Sequence, residues 1–81
     1  MQVTIQFFSH LQSLAGENER IVIVPDHATV ADLLAQLYRE SPSLEKWDAS
    51  IRVGAGIDFV GRSYCLRPGE TIAIMPPFQG G

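Results

Sequence analysis

The residues of this chain best suited to chemistry are its last two, Gly80 and Gly81. An apolar, stiff run precedes them: Ile72, Ala73, Ile74, Met75, Pro76, Pro77, Phe78 and Gln79. Glycine has no Cβ, so its backbone can approach another surface closely. Two prolines with fixed φ and no N–H cannot prolong a central strand. The pattern reads as a strand, a rigid stem and a slim tip made for insertion. A small domain that offers its own terminal carboxylate points to chemistry at that carboxylate.

The remaining reactive side chains form no second candidate site. Cys65 is the single cysteine, which excludes an internal disulfide and a cysteine-rich zinc centre. A small buried thiol is expected there. His10 and His27 have no third ligand in view, so no metal site is expected. Asp58 and Glu70 read as solvated carboxylates rather than an acid–base pair. Trp47 is expected to cover the open end of the core. No Ser/His/Asp grouping, phosphate loop or redox motif is present. The domain is therefore expected to have no catalytic centre of its own and no bound cofactor.

A tip needs a scaffold, and 81 residues supply one domain, 1–81, with a flexible tail over 76–81. The apolar fraction of 46% and charged fraction of 19% fit a globular fold and exclude disorder. Net charge is −3, and the six basic residues are scattered, so nucleic acid is not expected as a partner. No stretch approaches the ~20 apolar residues of a membrane span, and the N-terminus lacks signal-peptide character. The cytoplasm is the expected location.

Val3, Ile5 and Phe7 alternate with polar neighbours, which predicts a strand running to about Phe8. Ser9 to Gly16 predicts a short helical turn. Arg20 to Val24 predicts a second strand, hairpinned to the first. Val30, Leu33, Leu34, Leu37 and Tyr38 make one apolar helical stripe over Val30 to Glu40. Thr29 is its expected N-cap with Asp32 three residues on, and Ser41-Pro42 its stop. Ser43 to Ser50 reads as an irregular link. Ile51 to Val53 predicts a third strand, Gly54-Ala55-Gly56 a turn or bulge, and Ile57 to Val60 a fourth strand. Pro68-Gly69 is a type II turn signature, and Thr71 to Met75 the last strand. The order β-β-α-β-β-β predicts an α+β fold, a mixed sheet packed on one main helix. Strand pairing is left open by spacing alone. Phe8, Phe59, Ala73 and Met75 fall on the strand faces opposite the proposed core. They form either an apolar docking patch or the core itself with the faces exchanged.

Three stretches together resemble one family. They are Phe7-Phe8 with Leu11, Leu14 and Gly16; Leu66-x-x-Gly69-Glu70-x-Ile72-Ala73; and Pro76-Pro77-x-x-Gly80-Gly81. This chain resembles the small subunits of molybdopterin synthase over its whole length. The resemblance implies the ubiquitin-like β-grasp fold, with the first and last strands side by side at the centre. It implies that an ATP-dependent activating enzyme adenylates Gly81, and that the acyl adenylate becomes a thiocarboxylate. It implies a large catalytic subunit, assembled as a heterotetramer, into which Gly80, Gln79 and Phe78 carry the tip. Sulfur would then pass to cyclic pyranopterin monophosphate. Phe8, Phe59, Met75, Pro76 and Pro77 would contact the partner. A carboxylate ionised above its pKa of ~3.5 is a poor electrophile, and adenylation supplies the leaving group it lacks. Phe78 to Gly81 reach at most ~14 Å when extended. The chain departs from the family pattern at Gln12 and Ser13, at Gly56 and at Phe78.

Three other readings remain. A thiazole-pathway sulfur carrier would share the Gly-Gly end, though Phe7-Phe8, Pro76-Pro77 and the length favour the molybdopterin family. A protein modifier would join its terminus to lysines, and Lys46 is the one lysine through which copies could link. A plain interaction module would have an inert tail.

Overall fold

Residues 1–77 are described by the structure, a computed structural model. The strands are β1 (Gln2–Phe7), β2 (Glu19–Ile23), β3 (Arg52–Ala55), β4 (Asp58–Val60) and β5 (Thr71–Met75). The helices are α1 (His10–Ala15), α2 (Val30–Glu40) and α3 (Pro42–Glu45), followed by a 3-10 turn at Asp48–Ser50. The strands form one sheet in the order β2-β1-β5-β3-β4. β1 and β5 run parallel at its centre, with Ile5 opposite Ile72 and Phe7 opposite Ile74. All other neighbours are antiparallel. This is the α+β, ubiquitin-like β-grasp arrangement, and it supplies the central pairing that spacing left open.

Alternation decides which side of the sheet is dry. Val3, Ile5 and Phe7 of β1 and Ile72 and Ile74 of β5 are at most 1% exposed. Side chains two apart share a face, so these five line one surface. Val30, Leu33, Leu34 and Leu37 close over it from α2 as part of the same core cluster. The helix begins where the sequence placed it. Asp32 N–H donates to Thr29 Oγ1 at 3.3 Å, and Thr29 N–H donates to Asp32 Oδ2 at 2.9 Å, a complete capping box. Arg20 ties the helices to the sheet: it pairs with Glu17 and Glu40, and its guanidinium lies 5.5 Å from the Phe7 ring centre.

Three expectations need correction. The link over 43–50 is ordered, not irregular. Pro42 occupies the first turn of α3, where its missing N–H costs nothing, and buried Leu44 anchors that helix to the core. Gly54 and Ala55 belong to β3 and pair with Ala73 and Ile72, so the turn falls later, at Gly56 and Ile57. β1 ends at Phe7, not Phe8, because the next residues turn into α1 through Ser9 at φ 53°. Among the described residues no helix is long and apolar enough to cross a membrane.

Candidate functional site: the tail base and the open face of the sheet

β5 is a central strand, so the chain leaves it in the middle of the sheet's edge rather than from a periphery. Phe8 N–H donates to Ile74 O at 3.1 Å, carrying the β1–β5 pairing one step further. Pro76 and Pro77 follow Met75 and offer no N–H, so the ladder stops there. Both prolines are half-buried. They form one wall of a cleft of about 530 Å³ whose other walls are Phe8, Ser9, His10, Trp47 and Met75. His10 and Trp47 meet edge to face, ring centres 4.6 Å apart. Phe78, Gln79, Gly80 and Gly81 lie outside the described residues.

The sheet face opposite α2 carries the second part of the site. Register places Phe59 of β4 opposite Gly54 of β3, and Gly54 opposite Ala73 of β5. Arg52 stands opposite Met75 in the adjoining row. A Cβ on Gly54 would sit 3.1 Å from Met75 Cε, so the bare backbone there lets the methionine lie across β3. Gly54, Ala73, Met75, Phe59 and Ile57, with Gly56 and Asp58, enclose a recess of about 220 Å³. Phe59 is 64% exposed and Phe8 41%. That exposure removes the reading in which these two belong to an exchanged core. Met75 and Ala73 are half-buried on the same face. The five described residues expected at a partner surface therefore converge: Phe8, Met75, Pro76 and Pro77 at the tail base, and Phe59 beside them across the sheet.

Elsewhere the side chains act as braces. The larger cleft, about 630 Å³, lies along α2 and contains Tyr38, Asp48 and Arg62. Tyr38 Oη donates to Asp48 at 2.5 Å, and burial first, then this bond, pushes the phenol well above its ordinary range. Arg62 donates to the carbonyls of Asp48 and Ile51. Each group thus holds a neighbour, and none is aimed into the cleft as a nucleophile. Tyr64 donates to Glu70 at 2.6 Å, and that bond is the first cause raising its pKa. Glu70 also accepts the Arg67 N–H and so clasps the last turn. Asp58 stands apart from this network, exposed on β4. Among the described residues no group of His, Cys, Asp and Glu could hold a metal ion.

Two single residues differ from expectation. Cys65 is exposed, not buried, because its neighbour Leu66 points into the core and alternation turns the thiol outward. Trp47 remains 38% exposed and lines the tail-base cleft instead of sealing the core end, which Leu44 and Ile51 fill. His10, Arg52 and Gly54 were not singled out from sequence as site residues. Their roles depend on which segments the fold brings side by side, and no local pattern marks them.

The model of the ThiS family matches residues 5–81 of this chain. The molybdopterin synthase sulfur carrier subunit of Chlamydomonas reinhardtii is 30% identical over 83 residues, covering all of both chains. Small archaeal modifier protein 1 of Haloferax volcanii superposes with a TM-score of 0.85 at 26% identity, covering 95% of this chain and 98% of that one. A complex of subunits 1 and 2 of the molybdopterin-converting factor from Helicobacter pylori contains a chain with the same fold, TM-score 0.71 at 21% identity, covering both chains in full.

Proposed function

The chain belongs to the ThiS family, and on that premise we propose that it is the sulfur-carrying small subunit of a molybdopterin synthase, reacting through Gly81. Its full-length likeness to the Chlamydomonas carrier subunit supports this. The observation that carries the mechanism is the exit of the chain. β5 is clamped between β1 and β3, and Pro76 and Pro77 then stiffen the departure beside an apolar cleft. The tail base is thus fixed at the centre of the sheet and adjoins the open face that a partner would cover.

The tail's chemistry proceeds in two steps. The activating enzyme joins the Gly81 carboxylate to the adenylyl group of ATP and releases pyrophosphate. Hydrosulfide delivered by the sulfur donor then attacks the acyl carbon, AMP leaves with the bonding pair, and loss of a proton leaves a thiocarboxylate on Gly81. The large subunit accepts Gly80, Gln79 and Phe78 in its channel, and Phe8, Phe59, Met75, Pro76 and Pro77 meet its surface. Sulfur passes to cyclic pyranopterin monophosphate, and the carboxylate returns. The domain contributes position and no catalytic group of its own.

Intact mass after incubation with ATP, a sulfur donor and the host's activating enzyme tests the proposal. The expected result is replacement of one oxygen by one sulfur, mapped to Gly81 and absent when Gly81 is deleted. An unchanged mass, with the enzyme active on another carrier, would refute it. The likeness to the Haloferax modifier protein favours one second reading, transfer of the activated terminus to lysines. An isopeptide-linked product in the same mixture, in place of the thiocarboxylate, would select that reading.

A further inference from the structure

The open face of the sheet is apolar near the tail and sparsely charged. The alternation that buries Val3, Ile5, Ile72 and Ile74 turns Gln6, Ala73, Met75, Gly54 and Phe59 to the other side. Glu19 lies at the β2 end of that face, beside Gln6. At the tail end the charge is Arg52. Its guanidinium lies 5.7 Å from the centre of the Phe59 ring. The ring's quadrupole attracts a cation placed over its face, and a guanidinium can meet a carboxylate in two parallel bonds. The ion pairs among the described residues use Arg20, Arg62 and the N-terminus, and none involves Arg52. Arg52 is thus a cation placed over an aromatic ring, in no ion pair among the described residues, next to the recess that Gly54, Ala73, Met75 and Phe59 line.

We propose that Arg52 is a specificity-determining residue of the docking face, selecting a protein partner that seats an apolar side chain in the Gly54–Ala73 recess and a carboxylate against the guanidinium. This rests on the proposal that the face docks the large subunit. The molecule as a whole carries −3 and attracts basic surfaces at long range. Arg52 reverses that preference at the tail end of the apolar patch, while Asp58 lines the far side of the recess. A generic basic partner is thereby disfavoured at contact, and a carboxylate-bearing one is accepted.

Titration calorimetry of the full chain against the host's molybdopterin synthase large subunit tests this, with Arg52→Glu, Arg52→Lys and Phe8→Ala compared. Arg52 is exposed, and thermal melts establish that each variant is folded. Arg52→Glu is expected to weaken binding by about tenfold or more, as like charges at a contact repel. Arg52→Lys, which keeps the charge and loses the flat fork, is expected to fall between. Native affinity in Arg52→Glu, with Phe8→Ala weakened, would overturn the role of Arg52 and leave the docking face standing. Tighter binding by Arg52→Glu would also overturn it, since the partner would then be basic at that point. Native affinity in both Arg52→Glu and Phe8→Ala would instead refute the docking face and this inference with it.

Discussion

Replacing Phe59 by alanine separates what the open face contributes to folding from what it contributes to binding. A phenylalanine side chain has roughly 150 Å² of surface or more. With Phe59 64% exposed, about 100 Å² of that lies in water in the free subunit. Covering it on docking at about 25 cal/mol per Å² stabilises the complex by about 2.5 kcal/mol. Loss of the ring should therefore raise Kd about 60-fold. The buried remainder, about 50 Å², bounds the folding cost at about 1.3 kcal/mol by the same coefficient. For a domain of this size that lowers Tm by at most about 5–10 °C. Calorimetric titration against the large subunit gives the first quantity and a thermal melt the second. A Phe59→Ala protein that melts within this range and binds with native affinity would refute the reasoning. The ring would then remain in water in the complex, and the recess beside it would have no occupant.

Two further predictions concern the scaffold. Tyr38 has a raised pKa, so the folded state keeps the phenolic proton where the unfolded chain, at 10.0, releases it. Its stabilising effect is complete below pH 10 and is lost as pH climbs above that value. Tyr38→Phe should start from a lower Tm, having lost the bond to Asp48, and show a shallower alkaline decline in melts run from about pH 8 to about pH 11. Parallel declines in the two proteins would refute this. Gly69 holds φ 76° in the turn closed by Glu70 N–H donating to Arg67 O at 3.1 Å. Gly69→Ala should cost about 1–2 kcal/mol, read by denaturant titration, because a Cβ is strained in that region whatever the space around it. An unchanged midpoint would contradict it.

Much of this protein was legible before any fold was known. The helix over Val30 to Glu40 needed no tertiary information, because its stripe, its cap at Thr29 and its stop at Ser41-Pro42 are all local. The alternation in β1 and the Pro68-Gly69 turn are local in the same way. The chemistry proposed for the terminus was read from Gly80 and Gly81 together with the stem before them. What local pattern could not reach was neighbourhood. Phe8 and Phe59 are far apart in the chain, and alternation alone is symmetric between a wet and a dry face. Only α2 lying on one side broke that symmetry. Gly54 looked like a turn or bulge because two near-adjacent glycines, Gly54 and Gly56, weaken a strand interior, yet β5 pairs with it and Met75 occupies the space it leaves. Cys65 was placed inside and Trp47 over the core's open end by residue type, whereas burial is decided by which neighbours reach the core first, here Leu66 and Leu44. The sequence by itself determined the main helix, most of the strands and the candidate reactive end, because those depend on contacts a few residues long. Only the tertiary structure decided the register of the β1–β5 pairing, the tail-base cleft and the place of Arg52 over Phe59, because each joins segments whose proximity exists only once the sheet has closed.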